Sequence, residues 1–214
     1  MSRRVVVVAA VLLAAGLVLA GRGAGASVPS SPRRAVGNVV YLGGAFIRVG
    51  GVARGRLAAV AAGGAGAVLA WNHRADGRVR ALAASASRLY AGGQFGAWTT
   101  AGAAKFPTLE TDGGGQAIAV IGGEVYLGGH FGNICPGGTH LDGAGRSVCT
   151  GAGTARRKLL SVDAASGRPT AWNPSANSAL GVFAMAPTAG GSLVAGGDFT
   201  QVGGAAIRRL ALFG

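Results

Sequence analysis

The sequence predicts an all-β fold, a β-propeller of four-stranded blades with about three and a half blades in a partial or open ring. Three observations carry that expectation. The stretch Val40-Tyr41-Leu42-Gly43-Gly44-Ala45-Phe46 returns as Leu89-Tyr90-Ala91-Gly92-Gly93-Gln94-Phe95, as Val125-Tyr126-Leu127-Gly128-Gly129-His130-Phe131 and as Leu193-Val194-Ala195-Gly196-Gly197-Asp198-Phe199. Glycine makes up 41 of 214 residues without a three-residue period, so it acts as punctuation rather than as collagen or linker. Beyond residue 27 the longest glycine-free run, 78–91, shows no clear helical stripe, and long helices are not expected.

The chain begins with a basic head, Met1-Ser2-Arg3-Arg4, an uncharged run from Val5 to Ala20, and Ala24-Gly25-Ala26 before Ser27. That three-part pattern reads as a secretory signal over 1–26, cleaved after Ala26. The apolar run is shorter than the roughly 20 residues of a comfortable membrane span, and no span is expected after cleavage. Ser2-Arg3-Arg4 leaves the general secretory and twin-arginine routes both open. Residues 27–37, with Pro29, Pro32 and Arg33-Arg34, read as a flexible leader. The repeat domain then fills 38–214, in a secreted or cell-surface protein.

Within that domain, Gly43 to Gly92 spans 49 residues with four short apolar segments at 39–46, 56–61, 67–72 and 79–84, the size of one blade. The second unit, 36 residues from Gly92 to Gly128, keeps 116–120 but lacks a recognisable Arg-Leu-Ala segment and Trp-Asn corner. The third unit, 68 residues long, recovers every landmark: Lys158-Leu159-Leu160, the Ser166-Gly167 turn, Trp172-Asn173-Pro174 and Val182-Phe183-Ala184-Met185, with its surplus between Phe131 and Lys158. The last unit stops at Arg209-Leu210-Ala211-Leu212-Phe213. An open arc is therefore expected, either a fragment of a larger propeller or a piece completed by a second chain as an oligomer.

Each repeated residue has a structural reason. The pairs Gly43-Gly44, Gly92-Gly93, Gly128-Gly129 and Gly196-Gly197 mark strand ends that need positive φ or close backbone approach, and Phe46, Phe95, Phe131 and Phe199 wedge against a neighbouring sheet. Trp71 and Trp172, at equivalent positions and each followed by Asn, read as a corner with Trp between sheets and Asn bonding the turn backbone.

These landmarks, together with Val49-Gly50-Gly51 and Val202-Gly203-Gly204 and an Arg-X-X-Leu-Ala step, resemble the exported bacterial delta-sixty β-propeller repeat, a domain of unknown function. The chain is similar at greater distance to fungal cortical cell-polarity markers and kelch-type propellers. The resemblance covers about 38–214 and implies a secreted or surface propeller, often a module of a larger protein, without implying an activity. His73 stands where the third unit has Pro174, and the blades are too few for the usual closed ring.

Charge is one-sided, 20 basic residues against 7 acidic, which attracts polyanions or reflects a composition biased toward Ala, Gly and Arg. No basic run with interleaved aromatics appears, so a nucleic-acid partner is not expected; a cell-envelope polymer or a protein is the partner class that fits. Cys135 and Cys149, the only cysteines, lie in the surplus of the third unit, where an exported chain would join them in a loop-closing disulfide. With His130 and His140 they match no structural zinc spacing well. No metal, cofactor or catalytic constellation is expected: the acidic residues are scattered and no nucleophile elbow occurs. The leading reading is a non-catalytic binding or scaffold module. A propeller-borne quinone-dependent oxidoreductase or hydrolase and an Arg-rich polyanion binder remain as alternatives.

Overall fold

The computed structural model describes residues 4–7, 32–85, 88–95, 98–99 and 108–214. Every regular element among them is a β-strand, and four antiparallel sheets dominate. The first sheet joins Arg33–Val36, Val39–Gly43 and Leu57–Ala61; the third joins Gly114–Ile121, Glu124–His130 and Leu159–Asp163; the fourth joins Val182–Pro187, Leu193–Gly197 and Leu210–Phe213. The second runs Arg78–Ala84, Leu89–Phe95, Arg4–Val7, Thr108–Glu110 in spatial order.

The expectation of four repeat strands per unit needs correction. The Trp-Asn segments touch their sheets through single bridges, Val60 to Val68 and Val162 to Pro169. Pro169 lacks the N–H a ladder needs, and Gly64 and Gly66 turn the chain at φ +62° and +68°. A second difference lies in the expected leader, where Arg33–Val36 forms a strand paired with Val39–Gly43. The Gly37-Asn38 loop, with Gly37 at φ +56°, is a two-residue hairpin turn of the kind that matches strand twist. Leu210–Phe213 pairs with Leu193–Gly197 and Val39–Gly43 with Leu57–Ala61. The two ends of the array thus do not share a sheet, and the sheets do not close.

Each sheet packs on the next in chain order. Val36, Tyr41, Leu57 and Ala59 of the first meet Val79, Ala84, Leu89 and Ala91 of the second. Ala81, Ala83 and Tyr90 meet Ile118, Val125, Leu127, Leu160 and Val162 of the third. Leu159 of the third meets Val182, Ala195 and Ala211 of the fourth. The core is thus segmented into layers, each shared only by neighbours.

The glycine pairs set the spacing of these layers. A Cβ on Gly43 would lie 2.6 Å from Val79 Cγ1, one on Gly92 3.0 Å from Ile118 Cδ1, and one on Gly128 2.6 Å from Val182 Cγ1, so the first glycine admits the first strand of the next sheet. The second glycine faces a bulge in its own sheet: register shifts fall between Val79 and Ala81, Gly115 and Ala117, and Val182 and Ala184, and a Cβ on Gly197 would sit 3.1 Å from Val182 Cα. Close approach is therefore the operative need. Positive φ belongs instead to the basic residue that follows, Arg56 at 67°, Lys158 at 69° and Arg209 at 65°.

That residue is bracketed identically in three units. Gly44, Gly129 and Gly197 donate their N–H to the carbonyls of Arg56, Lys158 and Arg209, each at 3.0 Å. In return Arg56, Lys158 and Arg209 donate to the carbonyls of Phe46, Phe131 and Phe199 at 3.0, 3.0 and 2.9 Å. Phe131 and Phe199 are buried and Phe46 is half-buried; the Phe95 side chain lies outside the described residues.

The second unit breaks this scheme. Gly102-Ala103-Ala104 aligns with Gly204-Ala205-Ala206 and puts Pro107 where the fourth unit has Arg209. Proline cannot adopt that φ and has no N–H to offer the Phe95 carbonyl. Arg4–Val7 stands in the third-strand place instead: Val6 pairs with Ala91 and Val7 with Tyr90, as Ala58 pairs with Leu42 and Ala59 with Tyr41. Arg4 is opposite Phe95, the place of the bracketed basic residue. Thr108–Glu110 pairs on its far side.

Candidate functional site

The surplus of the third unit folds into an arm. Asn133–Ile134 pairs with Thr154–Ala155, and beyond it Thr139–Leu141 pairs with Ser147–Cys149. Cys135 and Cys149 are joined in a disulfide with Cα atoms 5.0 Å apart, closing a sequence separation of 14; a loop of this size is stabilised by about 3 kcal/mol through the unfolded chain.

The arm is braced at both ends. At its base Asp112 accepts the N–H of Gly132 at 2.7 Å and of Asn133 at 3.0 Å, and the Asn133 side-chain amide at 2.7 Å. Glu110, itself buried, accepts the Thr139 hydroxyl at 3.1 Å. At its tip Asp142 accepts the N–H groups of Arg146 and Ala144, each at 2.9 Å, and pairs with the Arg146 guanidinium at 2.8 Å. The Arg146 N–H leads in holding the Asp142 carboxyl below the usual carboxylate range, against a desolvation cost. Between these braces His140, Leu141 and Arg146 are exposed, with a His140 ring nitrogen 3.2 Å from the Thr150 hydroxyl. The arm presents an imidazole and an aliphatic side chain to solvent beside a guanidinium paired with Asp142.

A second concavity, about 490 Å³, opens between the second and third sheets, lined by Ser85, Arg88, Tyr90, Val120 and Gly122-Gly123. Arg88 spends its guanidinium there on the Ala164 and Ala165 carbonyls, while the buried Tyr90 hydroxyl has no hydrogen-bond partner among the described residues. Among the described residues no carboxylate or imidazole lines it. Among the described residues no group of three His, Cys, Asp or Glu side chains is placed to hold a metal ion. His130 sits exposed at the end of its strand.

The two tryptophans occupy matching places. Trp71 meets Tyr41 edge-on with ring centres 5.1 Å apart, and Trp172 meets Tyr126 at 5.0 Å, both partly buried against the layer cores. Asn173 bonds outside its own turn, to the Ala155 carbonyl at 3.4 Å.

The sequence reading missed a paired arginine clamp. Arg54 donates to the Ala53 carbonyl at 2.8 Å and the Leu69 carbonyl at 2.6 Å; Arg156 donates to Ala155 at 3.0 Å and Thr170 at 3.1 Å. Each lies two residues before a bracketed basic residue, in Arg54-Gly55-Arg56 and Arg156-Arg157-Lys158, and each ties down the Trp segment. That spacing was the available signal. No protein-family model, curated protein or solved structure matches the chain.

Proposed function

We propose that this chain is an exported β-propeller-type binding module, without catalytic activity, that presents the disulfide-tied arm to a cell-envelope polymer or a surface protein. The arm carries the reading: a double-braced hairpin with exposed His140, Leu141 and Arg146 on a layered scaffold. Ordered long loops on rigid scaffolds are where contact residues concentrate. The propeller reading draws on the recurrence of the glycine spacing and the basic bracket. Export draws on the N-terminal pattern and agrees with a disulfide. Polyanion binding finds less support, because Arg54, Arg56, Arg88 and Arg156 are spent on backbone carbonyls.

The test is cosedimentation of the secreted protein with isolated peptidoglycan sacculi, alongside an H140A/L141D variant and N-terminal sequencing. The expected outcome is sedimentation of the wild type, a roughly tenfold loss in the variant, and a mature chain beginning at Ser27. Equal sedimentation of wild type and variant would remove the arm as the contact site, and wild type remaining in the supernatant would overturn the envelope-polymer reading.

A further inference from the structure

Each sheet has a forward face that carries the first glycine of the motif. In the first sheet register places Tyr41, Gly43, Leu57 and Ala59 there; in the third, Tyr126, Gly128, Leu159 and Ser161. Both faces are covered by the following sheet, and Leu57 and Leu159 are 1% and 0% exposed. The same register in the fourth sheet places Val194, Gly196, Leu210 and Leu212 on its forward face. There Leu210 is 65% and Leu212 68% exposed.

Gly196 makes the same point by its emptiness. A Cβ on it would meet only the Arg209 carbonyl oxygen, at 3.7 Å, an ordinary contact. Gly43, Gly92 and Gly128 are glycine because a valine or isoleucine of the next sheet occupies that space. Gly196 keeps the space, and nothing described in the chain enters it.

What covers such a face is displayed three times within the molecule: the rear face of another sheet of the same repeat. The rear face that no described sheet covers belongs to the first sheet, where Arg33 is exposed, Ala35, Val40 and Leu42 are half-buried, and Ala58 and Val60 of the third strand are buried. We propose that the forward face of the fourth sheet docks on the rear face of the first sheet of a second copy, and reciprocally. Head-to-tail interfaces close when the rotation allows. This association is independent of what the arm binds.

Light scattering on the eluting secreted protein tests it. Wild type is expected at the mass of two chains, and Gly196→Val, whose Cβ would meet only the Arg209 carbonyl within the chain, at the mass of one while remaining folded. Val40→Glu, altered on the rear face, is also expected as one chain. A mixture of the two variants restores a pair, because the forward face of one meets the rear face of the other. A single-chain wild type at micromolar concentration, an open series of rising masses, or a two-chain Gly196→Val overturns the proposal, as does a folded Val40→Glu that still pairs with itself. If Val40→Glu does not fold, the wild-type and Gly196→Val masses decide.

Discussion

Asp198 occupies the variable position of Gly-Gly-X-Phe, where the other units carry Ala45, Gln94 and His130. Its carboxylate accepts the N–H of Leu180 at 2.8 Å, of Gly181 at 3.0 Å and of Ala179 at 3.2 Å, together with the Ser178 hydroxyl. Desolvation opposes the charge, and backbone N–H groups led by Leu180 outweigh it, holding the carboxyl below its ordinary value. A depressed folded pKa gives stability that is fully present above the unfolded value of about 3.9 and is lost as pH falls through the lower folded value. Asp198→Ala is therefore expected to destabilise by about 1 kcal/mol at neutral pH, solvent screening keeping the effect small, with the deficit shrinking in acid, as read from urea unfolding across pH. A deficit that widens in acid would contradict this account. At this scale the sequence was legible where a residue's identity is itself the constraint: the glycines signalled close approach. It was silent where constraint comes from context. Nothing about an arginine or lysine announces a left-handed backbone, so Arg56, Lys158 and Arg209 were visible only through the bonds that bracket them.

Strands were legible wherever the repeat supplied a template. The Glu124–His130 and Leu159–Asp163 pair follows the landmarks directly, whereas Arg33–Val36 was hidden because Pro32 and two arginines look like leader, although Gly37-Asn38 is a hairpin signal. Arg4–Val7 was hidden more deeply, since a basic residue followed by apolar ones describes both the start of an export signal and the third strand of this repeat. Val6→Pro tests that double reading, because proline removes an N–H and does not fit inside a ladder. In the full-length chain, hydrogen exchange of Leu89–Ala91 and of Thr108–Glu110 is expected to accelerate about tenfold or more, while Leu193–Gly197 keeps its protection as an internal reference. Unchanged exchange at Leu89–Ala91 would mean that Arg4–Val7 does not complete the second sheet. An export signal that doubles as a strand would leave the edge of Leu89–Phe95 open once it is removed, a site where other strands can add.

A layered molecule distributes stability as sheets plus the interfaces between them, and damage at one interface spreads only as far as its neighbours require it. The repeat made that architecture legible in the sequence, but which face of each sheet meets which neighbour depends on register, and a one-residue slip would exchange the faces. Gly128 and Gly196 separate the two consequences. They stand at the same motif position, yet a side chain at Gly128 collides with Val182 at 2.6 Å and the Met185 sulfur at 2.8 Å, while one at Gly196 has room. Gly128→Val is expected to cost about 1–3 kcal/mol by overpacking and to loosen the fourth sheet before the first, seen as early exchange of Leu193–Gly197 with Val39–Gly43 retained. Gly196→Val, compared as a single chain, is expected to leave the unfolding free energy from urea titration within about 0.5 kcal/mol of wild type. Equal destabilisation by both would show that the motif glycines serve the local strand rather than the spacing of layers, and with it the identity of the forward face would fall.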